Sequence, residues 1–276
     1  MKKVGKSLKR SVDRMYNLNL TQWWKRIKRL LICSFKTITE YKIEWVYMVL
    51  FALMKIGSIS FIWAGLVAGH IISLDTGVEL ILLSITLSIT SSITGLVIPY
   101  PYWYANGGRE RLTTILPKPH HYIQILSETI NLTEIFSLMT YLGLFAILYT
   151  LLPEHNLIMY LLFMMISFAV YSFFTLLGLA LSFWYDKIGE SWFDVLWPLT
   201  DEAPKYPLWK IKNVGVMVLF NFIIPIMYIS VYPVFALENK VSHYHLITGI
   251  LIVLVLYTLL HILFKKGLER FESVGG

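Results

Sequence analysis

The chain is poor in charged residues and contains almost no cysteine. Only 15% of its 276 residues are charged, well below the roughly 25% of an ordinary soluble domain. Its single cysteine, Cys33, excludes a disulfide within the chain and a cluster of cysteine ligands around a metal. The patterns His-Glu-x-x-His and Gly-x-x-x-x-Gly-Lys-Ser/Thr are also absent. The sequence therefore indicates neither an intramembrane metalloprotease nor a conventional ATPase.

Hydrophobic residues, by contrast, make up 57% of the chain and are concentrated in six long runs. A helix of about 20 apolar residues crosses the roughly 30 Å of a bilayer's hydrocarbon. We therefore predict an all-α, polytopic membrane protein with six transmembrane helices in a domain of residues 45–264. The extent of the first span stays open because the run contains Lys55. The six runs are Trp45–Leu74, Val78–Tyr104, Thr133–Leu152, Leu157–Trp184, Val214–Leu237 and His243–Phe264.

Lysine and arginine predict the orientation. Of the 24 basic residues, all but Lys55 and Lys240 precede run one, follow run six, or lie between runs two and three or four and five. Because basic loops stay in the cytoplasm, we place both termini there, with a cytoplasmic arm of residues 1–44 and a tail of residues 265–276. The net charge of +7 is thus a topology signal rather than a sign of nucleic-acid binding.

The amino-terminal arm has two parts. Met1–Asn19 is basic and polar. In Leu20–Glu44, apolar residues recur at helical spacing, and basic residues occupy most of the positions between them. Such a segment forms either a helix lying in the membrane plane, paired with anionic lipid, or a simple basic flank that sets the topology. Both interpretations keep the arm at the cytoplasmic surface and make membrane lipid a partner.

The apolar runs lack the groups that most chemistry requires. Runs two to five contain no Asp or Glu in their interiors, which argues against proton or sodium coupling. The adjacent His120 and His121, and the pair His243 and His245, are better explained as polar interfacial residues than as metal ligands. We predict no catalytic, cofactor-binding or metal site in this chain, and no enzymatic activity.

The polar segment Ala105–Ile130 stands out between runs two and three. Asn106-Gly107-Gly108 predicts a turn, and Pro117 and Pro119 predict the end of any helix that follows it, since proline removes a backbone donor. Between these breakers we predict a short amphipathic helix, Arg109–Leu116, with Leu112, Ile115 and Leu116 on one apolar ridge. That shape suits docking into a partner's groove, and equally suits a connector lying on the headgroups.

The later loop Tyr185–Asn213 is rich in aromatic and charged residues. We interpret it as an interfacial helix that ends at Pro198, followed by the rigid Pro204-Lys205-Tyr206-Pro207. Anchoring to lipid headgroups is favoured here over a second docking surface.

Three stretches resemble one family. They are Gly108–Pro119 with Gln124-Ile125-Leu126, the proline-punctuated Phe220–Pro225 with Tyr232-Pro233, and the tail Phe264–Gly276. In this order and within six spans, the pattern resembles small ABC-2-type transporter permeases, over roughly Trp45 to Gly276.

The resemblance implies the membrane subunit of an ATP-binding-cassette exporter in a prokaryotic plasma membrane. A separate ATPase subunit would hydrolyse ATP, and a second permease, identical or paralogous, would complete the pathway. The helix after run two would couple the permease to the ATPase. The alternative is a non-catalytic membrane scaffold, or an immunity or assembly factor. The implied coupling residues are Arg109, Glu110, Arg111, Leu112, Ile115 and Leu116.

Overall fold

The computed structural model describes residues 42–98, 134–150, 152, 156–182 and 198–274, and these ranges contain helices and turns but no strand. This part of the chain is therefore all-α, as predicted. We number its α-helices in chain order. They are α1 (Lys42–Ala68), α2 (Leu74–Val97), α3 (Glu134–Tyr149), α4 (Leu157–Ser182), α5 (Val214–Val218), α6 (Val231–Leu237) and α7 (His243–Val274).

Four of these helices, α1, α2, α4 and α7, are long and apolar enough to cross a membrane. The 16 residues of α3 extend only about 24 Å at 1.5 Å per residue, which is short of a bilayer's hydrocarbon core. The predicted third run also included Leu152, which lies beyond the helix.

The helix bounds differ from the predicted apolar runs at three places. The first helix ends at Ala68 rather than Leu74, because His70 adopts a left-handed φ of 57° that a continuous helix does not tolerate. The second helix then begins at Leu74 rather than Val78, since Ser73 caps it by accepting a hydrogen bond from the Thr76 amide at 3.3 Å. At the other end of the chain, α7 continues to Val274, ten residues past the predicted end of run six at Phe264.

Helix α2 is the centre of the bundle. It contacts α1, α3, α4 and α6, and its residues from Leu82 to Thr90 are buried or nearly so on every side. Helices α1 and α7 pack at the periphery and leave most of their apolar side chains exposed. In a membrane protein, such outward apolar surface meets lipid or another membrane helix.

The α4–α7 contact depends on a close approach at Gly249. A Cβ atom at that position would lie 2.7 Å from Cε1 of Tyr228 and 3.0 Å from Cδ1 of Ile166. Only glycine therefore lets α7 approach α4 and the Ile226–Tyr228 turn this closely.

The fifth apolar run, which contains Pro225 and Pro233, is broken into short helices. Helix α5 continues as a π-helical turn to Ile223. The α-helix is then interrupted over Ile224–Ser230, which contains only a 3-10 turn at Ile226–Tyr228, and α6 follows. Unwound backbone inside a bilayer requires internal hydrogen-bond partners. The Ser167 hydroxyl of α4 donates to the Ile229 carbonyl, and Tyr228 donates to the His245 carbonyl at 3.3 Å.

Candidate functional site

The predicted coupling residues lie outside the described residues, so their role stays a prediction. They are Arg109, Glu110, Arg111, Leu112, Ile115 and Leu116. Residues 1–41 of the amino-terminal arm and the aromatic residues of 183–197 also lie outside the described ranges. Within the described ranges, polar chemistry is concentrated in two places.

The first is an interior charge cluster formed by Lys55, Asp201, Glu202 and Lys205. Lys55 lies midway along α1, about 20 Å from either helix end at 1.5 Å per residue. Its Nζ is 3.9 Å from Oδ2 of Asp201, and Lys205 Nζ is 3.6 Å from the same oxygen. Asp201 is 2% exposed and Lys205 is 7% exposed. Two lysines thus share one buried carboxylate at mid-depth of the bundle.

Short turns bring Asp201 and Lys205 into the bundle. A π-helical turn over Pro198–Glu202 leads into a tight turn over Ala203–Lys205. The Lys205 ammonium donates to Glu202 at 2.7 Å, and the Ser230 hydroxyl donates to the Pro204 carbonyl at 2.9 Å. These contacts fix the segment against α2 and the break before α6.

The stretch Pro204-Lys205-Tyr206-Pro207 packs partly inside the bundle, while the predicted headgroup anchoring of the loop Tyr185–Asn213 stays a prediction. Pro204 and Lys205 are buried, as is Thr200, and only Tyr206 of these residues is well exposed. The physical reason is charge compensation: the carboxylates of Asp201 and Glu202 neutralise Lys205, which lowers the cost of removing it from water.

A polar wall from α2 and α3 adjoins the charge cluster. The Glu134 side chain lies against α2, its Cγ 3.3 Å from where a Cβ at Gly95 would be. Glu134 hydrogen-bonds Ser92 and interacts electrostatically with Lys55. Ser88 lies on α2 one turn before Ser92 and is adjacent to the Tyr141 side chain. Tyr141 also interacts electrostatically with Asp201.

The sequence contains a pattern that indicates this wall, although mean hydropathy does not show it. Ser and Thr alternate with apolar residues from Ser84 to Thr94 in the middle of run two. Some of these hydroxyls bond their own helix, as Thr94 does to the Thr90 carbonyl at 2.9 Å. Others bond α4, as Thr90 does to Ser167 at 2.9 Å. A hydroxyl-rich helix that is buried on all sides can thus face several neighbours at once.

The second place is a loop cluster formed by Glu79, Glu238 and Lys240. The Lys240 ammonium bonds Glu79 of α2 and lies 2.6 Å from Oε2 of Glu238, at the end of α6. Asn156 strengthens the same region, since its Nδ2 donates to Oδ1 of Asn239 at 3.1 Å. The α6–α7 loop is thereby fastened to the ends of α2 and α4.

Two charged groups of the loop cluster, the Glu238 carboxyl and the Lys240 ammonium, have shifted pKa values. Burial raises the pKa of the Glu238 carboxyl, and the hydrogen bond from Lys240 offsets only part of that shift. For Lys240, burial alone would lower the pKa of the ammonium, but hydrogen bonds and charges of Glu238 and Glu79 outweigh burial and raise it. Lys240 stabilisation is thus complete below its unfolded pKa and is lost only at strongly alkaline pH.

Replacing Lys240 by methionine should produce a pH-dependent loss of stability. Near neutral pH, two carboxylates then face each other without a cation, and we expect a loss of about 1 kcal/mol, a modest figure because Lys240 is half exposed. The deficit should shrink as pH falls past the raised pKa of Glu238, because a protonated carboxyl repels nothing. Thermal unfolding in detergent across this range measures it. Lys266→Met, at an exposed position of α7, is the control, and a deficit that grows on acidification contradicts the assignment.

Among the described residues, no three His, Cys, Asp or Glu side chains gather in a way that could hold a metal ion. His245, one of the histidines interpreted as interfacial, bonds the Ser242 hydroxyl through Nδ1 at 3.0 Å and packs against the Tyr232 ring at 5.1 Å. Its environment is that of a structural residue at the start of α7.

Comparison with known proteins supplies the family. The model of a family described as ABC-2 family transporter protein matches residues 109–275, which is more than half of the chain. No curated protein and no solved structure matches the chain. The family match begins at the first residue of the predicted coupling helix and includes the interior charge cluster apart from Lys55. Together with four helices able to span a membrane, it establishes that the chain belongs to the ABC-2 family of transporter proteins, as a multi-pass membrane permease.

Proposed function

We propose that this chain is the membrane-spanning subunit of an ATP-binding-cassette exporter, and that it forms the translocation pathway while a separate ATPase subunit hydrolyses ATP. The observation that carries the proposal is the ABC-2 family match over residues 109–275. The chain contains no phosphate-binding loop of its own, so the energy for transport must come from a partner.

The finer features belong to the same proposal. In it, α3 and the broken run of α5 and α6 complete six spans with the four long helices, and both termini lie in the cytoplasm of a prokaryote. The Arg109–Leu116 segment receives motion from the ATPase, and a second permease subunit, identical or paralogous, completes the pathway. Lipid contacts the amino-terminal arm and the outward faces of α1 and α7. The unwound Ile224–Ser230 supports a moving pathway, because a broken helix can rearrange without unpacking whole spans.

Co-purification from native membranes tests the partnership. Affinity capture of the tagged full-length chain in mild detergent should recover an ATP-binding-cassette ATPase in a constant ratio to the chain. Another six-span protein captured in the same way, at matched abundance, is the control for non-specific recovery. Capture of the chain without any ATPase would instead favour the alternative of a scaffold or immunity factor.

A further inference from the structure

The described helices define two ends of the bundle. The α1–α2 turn at His70 lies at one end, where Lys240 of the α6–α7 loop bonds Glu79 near the start of α2. At the same end, the amide of Asn156, just before α4, donates to the Leu237 carbonyl of α6 at 2.8 Å. We call this the outer end, because the proposed function places the first residues of α1 in the cytoplasm.

The π-helical turn that follows α5 lies near the outer end. The Tyr232 hydroxyl of α6 donates to Oδ1 of Asn221 in this turn. The Tyr232 ring is 5.1 Å from the ring of His245, which is the third residue of α7. Asn221 is therefore close to the level at which α7 begins.

The segment before α5 also reaches the outer part of the bundle. The Trp209 ring is 5.2 Å from the ring of Phe235, which lies two residues before the end of α6. The Tyr206 ring is 6.4 Å from that of Trp63, five residues before the outer end of α1. The chain has therefore risen from the interior charge cluster at Lys205 toward the outer end before α5 begins.

The length of the chain keeps the start of α5 on this side. Asn213, which caps α5, is four residues after Trp209, or at most about 14 Å of extended chain. It is eight residues before Asn221, or about 12 Å of helix. The inner face of the bundle is roughly 30 Å from the outer end, so both distances fall well short of it. Helix α5 therefore does not start at the inner face, as a full span would.

The interruption between α5 and α6 lies at mid-depth. The Ser167 hydroxyl, which donates to the Ile229 carbonyl, is ten residues into α4, about 15 Å from the outer start of that helix. The Ser230 hydroxyl donates to Pro204, one residue before Lys205 of the interior charge cluster. Residues Ile226–Val231 are each at most 2% exposed. The chain thus turns inside the bundle, and α6 returns to the outer end.

We propose that α5, the interruption at Ile224–Ser230 and α6 form a re-entrant hairpin that enters and leaves the bundle at the outer end. Lys210 and Lys212, which precede α5 and are exposed, then lie on the outer side. The fifth crossing lies before α5 rather than in α5 and α6, while the number of spans and the side of the termini stay the same.

This hairpin deepens the proposed function, on which it rests only for which side is outer. It names the element that occupies the outer half of the permease. It also removes Lys210 and Lys212 from any surface on which a cytoplasmic ATPase could dock. The count of basic residues predicts the opposite side for both lysines, because that rule scores charge by loop and takes no account of tertiary contacts.

The test is the sidedness of single cysteines in the full-length chain, in which Cys33→Ser removes the one native thiol. A membrane-impermeant maleimide is added to right-side-out membrane vesicles before and after permeabilisation. We expect Lys210→Cys and Lys212→Cys to be labelled fully before permeabilisation, as is His243→Cys, an exposed position at the start of α7. Lys266→Cys, an exposed position near the other end of α7, should be labelled only afterwards.

The two control positions separate this proposal from the proposed function. Labelling of Lys210→Cys and Lys212→Cys together with Lys266→Cys, and not with His243→Cys, overturns the hairpin. If His243→Cys and Lys266→Cys exchange behaviour while both lysine positions still follow His243→Cys, the hairpin stands and the orientation in the proposed function is wrong.

A distance measurement in detergent tests the same placement without a membrane. Spin labels are attached at Lys212 and His243 in one sample and at Lys212 and Lys266 in another, and the separations are measured by double electron–electron resonance. His243 and Lys266 lie about 35 Å apart along α7 at 1.5 Å per residue. We expect the first pair to be clearly closer than the second, and the reverse order contradicts the hairpin.

Discussion

Aspartate at position 112 or 116 should abolish the stimulation of ATP hydrolysis without preventing membrane insertion. Leu112 and Leu116 form, with Ile115, the apolar ridge of the helix predicted over Arg109–Leu116. If that ridge docks in a groove of the ATPase, a carboxylate there must be desolvated without a partner, which costs several kcal/mol. A loss of that size dissociates a contact of ordinary affinity.

The measurement compares ATP hydrolysis by the ATPase in vesicles that contain wild-type or variant permease at equal amounts. Thr113→Asp, which places the same charge on the polar side of the predicted helix, is the matched control and should retain most of the stimulation. Full stimulation and full co-purification of the ATPase with Leu112→Asp and Leu116→Asp would contradict the coupling role of this segment.

Replacement of Asp201 by alanine should destabilise the protein by about 3–5 kcal/mol, the usual effect of removing one partner from a buried ion pair. Lys205 is 7% exposed and would keep only the half-exposed Glu202 as its counter-ion, while Lys55 would lose its contact with the 198–205 segment. The loss should appear as a large fall in the thermal midpoint in detergent.

A second substitution separates charge from packing in this experiment. In the double variant Asp201→Leu, Lys205→Met, both buried charges are replaced by apolar groups of similar size, and most of the lost stability should return. Asp75→Ala, at an exposed position in the first turn of α2, should cost less than about 1 kcal/mol. If the double variant is no more stable than Asp201→Ala, the interior charge cluster does not act as a compensated unit.

The sequence predicts the long helices well because hydropathy and length are local properties. Helices α1, α2, α4 and α7 all fall on predicted runs. The ends are less predictable. The hydropathy of the run Trp45–Leu74 does not predict that His70 adopts a left-handed φ. The basic tail after Phe264 remains helical because Lys and Glu are good helix formers.

The broken fifth run shows the same division between local and tertiary information. Pro225 predicts that the helix is interrupted, since it removes a backbone donor. The partner that makes the interruption tolerable, the Ser167 hydroxyl on the Ile229 carbonyl, comes from a different helix. No local pattern in the sequence specifies that contact.

The interior charge cluster was beyond sequence reasoning for a physical reason. In the sequence, Lys55 is a lone charge in an apolar run, and Lys205 lies in a loop that is predicted to be cytoplasmic. Hydropathy scores each residue by its own cost of burial and ignores compensation by a distant partner. Only the fold brings Asp201 between the two lysines.

The central claim, that this chain is the permease of an ATP-driven transporter, is tested most directly by reconstitution with the ATPase that co-purifies with it. ATP hydrolysis is measured for the ATPase alone, with empty lipid vesicles, and with vesicles that contain the chain. We expect the ATPase to bind only to vesicles that contain the chain, and its hydrolysis rate to rise there. An ATPase that stays in solution and hydrolyses ATP at the same rate in all three conditions would contradict it.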